Sequence, residues 1–168
     1  MIKNIMKYGL LFAICILMQV LIFDRIYFSG YVNIYFYVLF ILLLPIQTSK
    51  SLGMIMAFFI GISIDMFTNT PGMHASASVF MAFLRPTILR FLAPIDGYET
   101  GMEARLSILG IGWFIRYAFV LILAHHTVLL YLEAFNSSLF FFTFLKVLLS
   151  SFATLFIIVL SQFLIYRK

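Results

Sequence analysis

Charged residues are scarce in this chain. They make up 10% of its 168 residues, whereas hydrophobic residues make up 64%. A soluble domain has roughly 25% charged and roughly 45–50% apolar residues. The composition therefore excludes an ordinary soluble domain and predicts one integral membrane domain over residues 1–168, surrounded by the lipid bilayer.

Motifs of familiar chemistry are also missing. The single cysteine, Cys15, excludes an intramolecular disulfide and gives no sign of a metal cluster. The sequence has no Gly-rich phosphate loop, no Gly-x-Ser-x-Gly elbow and no His-Glu-x-x-His pair. The acid-rich loop over residues 96–103 matches no metal or phosphate motif and is interpreted as a solvated connection. We therefore predict no catalytic residue, no cofactor and no metal site, and we do not expect an enzyme.

The apolar runs predict an all-α integral membrane protein with six transmembrane helices. The first run is interpreted as an uncleaved span, because no small-x-small cleavage site follows it. The net charge of +5 comes from basic residues that stand singly between these runs, which favours a role in topology and no nucleic-acid partner. With six spans, seven basic residues share a side with both termini and only Arg25 lies opposite, so both termini are predicted in the cytoplasm. The predicted spans are 8–24, 31–46, 52–68, 73–92, 106–131 and 138–166, and the seven basic residues are Lys3, Lys7, Lys50, Arg90, Arg105, Arg167 and Lys168.

The stretch from residue 53 to residue 86 is the most informative. Gly53, Ala57 and Gly61 are four residues apart, so they predict a smooth helix face on which another helix packs closely. Asp65 lies on the same face, and a turn that contains Gly72 leads into the next apolar run. This pattern predicts a tightly packed helical hairpin.

Asp65 has the most costly position. A carboxylate in the middle of a membrane-spanning helix costs about 2.5–3.5 kcal/mol, so we expect a partner for it inside the protein. Lys146 is predicted at a similar depth and could pair with it. Two readings stay open: Asp65 belongs to a proton, ion or substrate site, or it forms a buried ion pair or caps the hairpin turn.

Other polar residues in the predicted spans are candidates for polar contacts within the membrane or with a partner protein. No acid is predicted at the depth of Arg85 or Arg116, so we expect backbone carbonyls, polar side chains or a partner's acid as acceptors, or snorkelling to the interface. The rings of His125 and His126 point about 100° apart on a helix, which argues against a shared metal, and we expect them at the membrane interface near Glu133. The full set of candidates is His74, Arg85, Arg116, His125, His126, Glu133 and Lys146.

In their order along the chain, these residues resemble the rod shape-determining protein MreD family. The resemblance covers essentially the whole chain. The motifs that carry it are Gly53…Gly61-x-x-x-Asp65, Pro71-Gly72-x-His74-Ala75 and the closing Arg85-Pro86. The segments that resemble the form of the family in Bacteroidetes-type bacteria are Arg90-Phe-Leu-Ala-Pro94, Gly97-Tyr98-Glu99, His125-His126 and Glu133-Ala-Phe135.

The resemblance implies a non-enzymatic scaffold or regulatory subunit of the bacterial cell-wall elongation complex, located in the inner membrane. It implies MreC as the direct partner and, through MreC, the filament protein MreB and two proteins of peptidoglycan synthesis, RodA and a class B penicillin-binding protein. The signature hairpin of the family then corresponds to Gly53, Gly61, Asp65, Gly72 and Arg85, with no catalytic role attached to them.

The family is also similar in fold to the six-span substrate-binding subunits (S components) of energy-coupling-factor vitamin transporters. This similarity supplies an alternative function, a substrate-binding membrane subunit. The stripe Gly9-x-x-x-Ala13 is then a loose counterpart of the docking stripe in such subunits. A ligand site would be formed by polar groups from the outer halves of the spans, and the candidates are Asp65, His74, His126 and Lys146.

Overall fold

The computed structural model describes residues 2–26, 30–135 and 140–165, with side chains from residue 6 onwards. Within these ranges the chain is helical, and no β-strand is formed. The helices are α1 (Ile2–Leu21), α2 (Val38–Leu42), α3 (Lys50–Thr68), α4 (Met73–Phe91), α5 (Leu106–Leu109), α6 (Ile111–Ala134) and α7 (Phe140–Ile165), and a single 3-10 turn (Phe23–Arg25) follows α1.

Among the described residues, four helical segments are long and apolar enough to cross a membrane. They coincide with the first, third, fifth and sixth predicted spans, so the all-helical prediction is confirmed for the described residues and the chain has the helices of a membrane protein. Residues 138–139 and 166 of the sixth predicted span, and the terminal Arg167 and Lys168, lie outside the described residues. The four segments are Met6–Arg25, Lys50–Thr68, Ile111–Ala134 and Phe140–Ile165.

The length and composition of the helices do not confirm the predicted count of six spans. Helix α4 has the length of a span but carries Arg85 and Arg90, which lower its hydropathy. The predicted second span, 31–46, forms a helix only over Val38–Leu42. The side chains on either side of this short helix are buried as well, so every residue from 34 to 44 lies in the interior. This central segment contacts α1, α3 and α4. Because neighbouring elements surround it, its sequence is apolar on all sides and has no polar face.

Side chains from the long helices satisfy the non-helical backbone at the start of the central segment. Irregular backbone at membrane depth is stable only where it is buried in protein or lines a water-filled cavity, because its N–H and C=O groups need partners. Here the partners are polar side chains of α1 and α7. The contacts are Asn33 N–H to Ser150 Oγ (2.9 Å), Tyr35 N–H to Thr154 Oγ1 (3.1 Å), Gln19 Nε2 to the Ile34 carbonyl (3.0 Å) and Tyr37 N–H to Gln19 Oε1 (3.4 Å).

The protein has two distinct ends. At one, which we name the basic end, Lys7 and Arg105 pair with Glu103 of the loop between α4 and α5, and Lys50 and Arg90 lie at the adjoining ends of α3 and α4. In the same region the Ile46 N–H donates to the Met102 carbonyl at 3.0 Å. At the other, the cleft end, α1 finishes, α3 meets α4 and α6 approaches the start of α7. In the part of the chain that the structure describes, six stretches run from one of these ends towards the other, namely α1, the central segment, α3, α4, α6 and α7.

The acid-rich loop at the basic end is folded against the helices. The Glu103 carboxylate accepts hydrogen bonds from Lys7 and Tyr8 of α1 and pairs with Arg105. Burial alone would raise the pKa of the Glu103 carboxyl, but the hydrogen bonds from Lys7 and Tyr8 and the positive charges of Arg105 and Lys7 hold its pKa below the usual value. The expected solvated connection is therefore tied to the body of the protein at Glu103.

The stabilisation from Glu103 is expected to depend on pH. Because its folded pKa is lowered, the contribution is complete above pH 4.5, the ordinary glutamate value, and is lost as the pH falls through the folded pKa. Thermal unfolding of the wild type and of Glu103→Gln in detergent should differ at neutral pH by about 1 kcal/mol or less, given solvent screening, and should converge in acid. The matched control is Glu99→Gln, since the Glu99 side chain is exposed in the same loop. A Glu103 difference that persists unchanged in acid would contradict this role.

Candidate functional site

Asp65 caps the turn of the predicted hairpin. Its two carboxylate oxygens accept hydrogen bonds from four donors in the turn and in the first turn of α4. An anion at this position also interacts favourably with the positive end of the α4 dipole. This geometry agrees with the interpretation that Asp65 caps the hairpin turn. Both of its carboxylate oxygens accept hydrogen bonds from groups within the hairpin. The donors are the Thr70 hydroxyl (3.0 Å) and the backbone N–H groups of Gly72 (3.1 Å), His74 (3.0 Å) and Ala75 (3.0 Å).

Gly61 is the point of closest approach between α3 and α4. A Cβ atom at Gly61 would lie 2.5 Å from the Ala75 Cα and 2.7 Å from the His74 carbonyl oxygen. Both of these atoms belong to the backbone, so no side-chain rotation can make room. The close packing predicted from the small-residue face is thus concentrated at Gly61.

The other small residues of the hairpin have less demanding positions. Ala57 is fully buried in the core. Gly53 is also buried, but a Cβ atom there would meet only Thr48 Cγ2, at an ordinary 3.9 Å. Gly72 precedes α4 with a φ of 84°, a left-handed conformation that glycine adopts without strain.

The two arginines of the predicted spans have different surroundings. Arg85 is buried, and its guanidinium donates to the Tyr117 hydroxyl (2.8 Å), the Pro45 carbonyl (3.3 Å) and the Leu44 carbonyl. It therefore satisfies the end of the central segment, with backbone carbonyls and a polar side chain as acceptors. Arg116 is exposed on α6 and donates to the Gly112 carbonyl one turn earlier, at 3.0 Å.

A buried cluster of histidines and tyrosines lies beneath the cleft end. The Tyr37 hydroxyl is 2.7 Å from His125 Nε2 and 3.0 Å from His74 Nδ1. A hydroxyl has one proton, so it can donate to only one of the two rings and must accept from the other. The His126 Nδ1 lies 2.8 Å from the Ile122 carbonyl, to which it donates, and its Nε2 lies 3.1 Å from Thr154 Oγ1. These bonds fix the His74 and His125 rings to the central segment and the His126 ring to α7.

The structure differs from the expectation that His125 and His126 lie at the membrane interface. Both side chains are fully buried. The reason is that α6 packs between α4 and α7, so two adjacent positions about 100° apart on a helix can both face neighbours. His125 faces the central segment and His126 faces α7. In contrast, Glu133 is exposed and Lys146 is partly exposed at the cleft end.

A cleft of about 800 Å³ opens at this end. One part of its wall is apolar and comes from the end of α1 and the start of the central segment. The rest is polar and includes Tyr35, which lies between the Asn33 amide (2.9 Å) and the Glu133 carboxylate (3.3 Å). In the orientation that satisfies the Asn33 amide, its oxygen accepts from Lys146 Nζ at 3.3 Å. Of the predicted site residues, the cleft brings together His74, Glu133 and Lys146.

The described residues contain no group of three or more His, Cys, Asp or Glu side chains placed to hold a metal ion. The arrangement at the cleft end instead offers hydrogen-bond donors, hydrogen-bond acceptors and charges of both signs.

Several residues that build the site were not singled out from the sequence. They share one signal, which is a polar or aromatic side chain inside an apolar run, and intramembrane polar residues generally mark buried partners. This signal does not reveal that the hydrogen-bond partner of such a side chain is the backbone of the interrupted second predicted span. These residues are Gln19, Asn33, Tyr35, Tyr37, Tyr117, Ser150 and Thr154.

Comparisons of this chain with protein-family models, with curated proteins and with solved structures found no match. The fold and the site therefore define a class only, a small helical membrane protein with a broken central segment and a polar cleft at one end.

Proposed function

We propose that this protein is a non-enzymatic scaffold or regulatory subunit of the bacterial cell-wall elongation complex. In this proposal it binds MreC directly and is linked through MreC to MreB, RodA and a class B penicillin-binding protein. The support is the ordered set of motifs that resembles the MreD family, of which the α3–α4 hairpin is the centre. The single observation that carries most weight is the contact between Gly61 and the backbone of α4, because it gives the signature glycine of the hairpin a physical role.

The polar groups of the membrane segments agree with a scaffold. Asp65 is engaged by the turn before α4 and by the start of α4. Arg85 and Gln19 are engaged by the backbone of the central segment. These groups stabilise a fixed arrangement of helices, which is the property that a subunit holding other membrane proteins in place needs.

We further propose six membrane crossings, both termini in the cytoplasm and a bundle similar to the S components of energy-coupling-factor transporters. The central segment and α4 run between the same two ends as the four apolar helices, so a membrane crossed by those four is crossed by these two as well. The interior position of the central segment then explains why it has little surface for lipid. The interior position of α4 likewise explains how it can carry the charged Arg85, which is buried by its neighbours. The gathering of Lys7, Lys50, Arg90 and Arg105 at the basic end supports a cytoplasmic location for that end.

Purification of the tagged full chain from its native membrane in mild detergent tests this function. The expected result is co-purification of MreC and the cell-wall synthases, with an unrelated tagged membrane protein of similar size as the control. Recovery of the chain without any of these proteins would contradict the proposal.

The cleft favours a second candidate, a substrate-binding membrane subunit of the energy-coupling-factor type. Ligand sites in membrane transporters lie next to interrupted helices, and here the non-helical residues 32–35 border the cleft. The same purification separates the two candidates, because a transporter subunit is expected to be recovered with ATPases and a transporter scaffold protein.

A further inference from the structure

The cleft described above has the size and lining of a small-molecule site. Its volume of about 800 Å³ falls within the roughly 300–1,000 Å³ of ligand pockets. Non-helical backbone over residues 32–35 forms part of its wall. Such backbone is accommodated at membrane depth where it is buried or lines a polar cavity.

Among the described residues, charges of both signs line the cleft in equal number. Two acids, Asp24 and Glu133, and two bases, Arg25 and Lys146, belong to its lining. Asp24 accepts a hydrogen bond from Gln19 Nε2 at 2.7 Å. The Glu133 carboxylate lies 3.3 Å from the Tyr35 hydroxyl, whose proton is donated to the Asn33 oxygen in the orientation that satisfies this amide. Both carboxylates therefore retain lone pairs for a further donor.

His74 supplies a further polar group for a ligand. The residue is 3% exposed and lines the cleft. Its Nδ1 is engaged by the fully buried Tyr37 at 3.0 Å, whereas its Nε2, at the opposite edge of the ring, has no hydrogen-bond partner among the described residues. This nitrogen is not sealed in the interior. It is therefore available to a polar group that enters the cleft.

An apolar wall faces the charged groups. Val20, Phe23 and Ile34 line the cleft from the side of α1 and the central segment. A molecule that matches both walls must carry an apolar body together with a cationic group and an anionic group.

We propose that the cleft binds a small amphipathic zwitterion. Its ammonium group lies toward Glu133 and Asp24, its carboxylate or phosphate lies toward Lys146 and Arg25, and its apolar part packs on Phe23 and Ile34. The ligand is a free amino-acid-like molecule or the headgroup of a zwitterionic lipid, which share this chemistry. The inference goes beyond the scaffold function and concerns the chain itself, whichever assembly contains it.

The first test uses three related probes on the purified full chain in detergent. L-Phenylalanine carries both charges, its methyl ester carries only the ammonium and its N-acetyl form carries only the carboxylate. In the second arm, native mass spectrometry compares retention of phosphatidylethanolamine, which is zwitterionic, with phosphatidylglycerol, which is anionic. Preference for L-phenylalanine by about tenfold or more over both derivatives identifies a free ligand, since each charged hydrogen bond is worth at least this factor. Selective retention of phosphatidylethanolamine identifies a lipid headgroup. Absence of both preferences overturns the proposal.

Two variants locate the binding. Lys146→Gln is expected to remove the preference for the zwitterion over the ester, and Glu133→Gln the preference over the N-acetyl form; in the lipid arm either variant lowers phosphatidylethanolamine retention. Arg116→Gln removes an exposed charge of α6 outside the cleft lining and should bind like the wild type. Thermal unfolding without ligand checks that each variant is folded. Unchanged binding by folded Lys146→Gln and Glu133→Gln would overturn the placement of the ligand in this cleft, whatever proteins co-purify with the chain.

Discussion

Gly61→Leu is expected to abolish the folded protein. Even one extra methylene in a well-packed interior costs about 1–3 kcal/mol and occasionally more. At Gly61 the first added atom already lies 2.5 Å from the Ala75 Cα, and leucine adds three more. Helices α3 and α4 would have to separate, which would also pull the start of α4 away from Asp65. Size-exclusion chromatography in detergent should show aggregated or degraded protein in place of a single folded species.

Alanine gives a graded version of the same test with a matched control. Gly61→Ala should lower stability by about 1–3 kcal/mol or more, because backbone atoms occupy the space of the new Cβ. Gly53→Ala, two turns earlier on the same face, has a nearest neighbour at 3.9 Å and should be neutral or slightly stabilising, since alanine favours a helix over glycine by about 1 kcal/mol. Equal melting temperatures for the two alanine variants would show that α3 and α4 are not this close at Gly61.

The hairpin could be predicted from the sequence because its signals are local. Small residues four apart predict a close helix contact without knowledge of the partner helix. An acid placed just before a Gly-containing turn predicts capping as one of few solutions. What the sequence did not indicate is that the contact is concentrated at Gly61 and not shared equally with Gly53. That difference depends on the crossing point of the two helices, which is a tertiary property.

The central segment could not be predicted in the same way. A continuous apolar run does not distinguish a membrane-spanning helix from a buried irregular stretch, because neither has an amphipathic period. The polar residues that stabilise the broken segment lie up to 119 positions away in the chain, in the case of Tyr35 and Thr154. Their roles are therefore determined by the arrangement of all the helices. The same dependence explains why the sequence left several acceptors open for Arg85, whereas the structure shows two backbone carbonyls and the Tyr117 hydroxyl.

The candidate site shows a similar division. His74 was predicted towards the outer end of its span, Glu133 close to that end and Lys146 inside the sixth span, and all three line the cleft. His125 and His126 were identified on the same basis but lie in the interior. Depth along a helix can be estimated from the sequence at about 1.5 Å per residue. The direction in which a side chain points relative to neighbouring helices cannot be obtained in this way.

Asp65→Asn is expected to destabilise the protein by about 1–3 kcal/mol or more. Each carboxylate oxygen accepts two hydrogen bonds, and Oδ2 receives the backbone N–H groups of Gly72 and Ala75. An asparagine has only one acceptor oxygen. When that oxygen takes the Oδ2 position, the amide nitrogen donates to the Thr70 hydroxyl but leaves the His74 N–H without an acceptor. A buried donor left without an acceptor costs about 1–3 kcal/mol, and α4 also loses the favourable anion at its N-terminus. The measurement is thermal unfolding in detergent.

Asp24→Asn is the matched control, because it removes a carboxylate charge while keeping an oxygen that can accept from Gln19 Nε2. It should unfold close to the wild type. Comparison of the two variants also separates the two readings of Asp65. If Asp65 is a capping residue, Asp65→Asn is less stable than the wild type but binds its partner normally at temperatures where the variant is folded. If Asp65 belongs to a proton, ion or substrate site, the variant has normal stability and altered binding. A loss of stability confined to Asp65→Asn would therefore place this acid in the architecture of the hairpin, and equal stability of both variants would mean that its ionisation is dispensable for the fold.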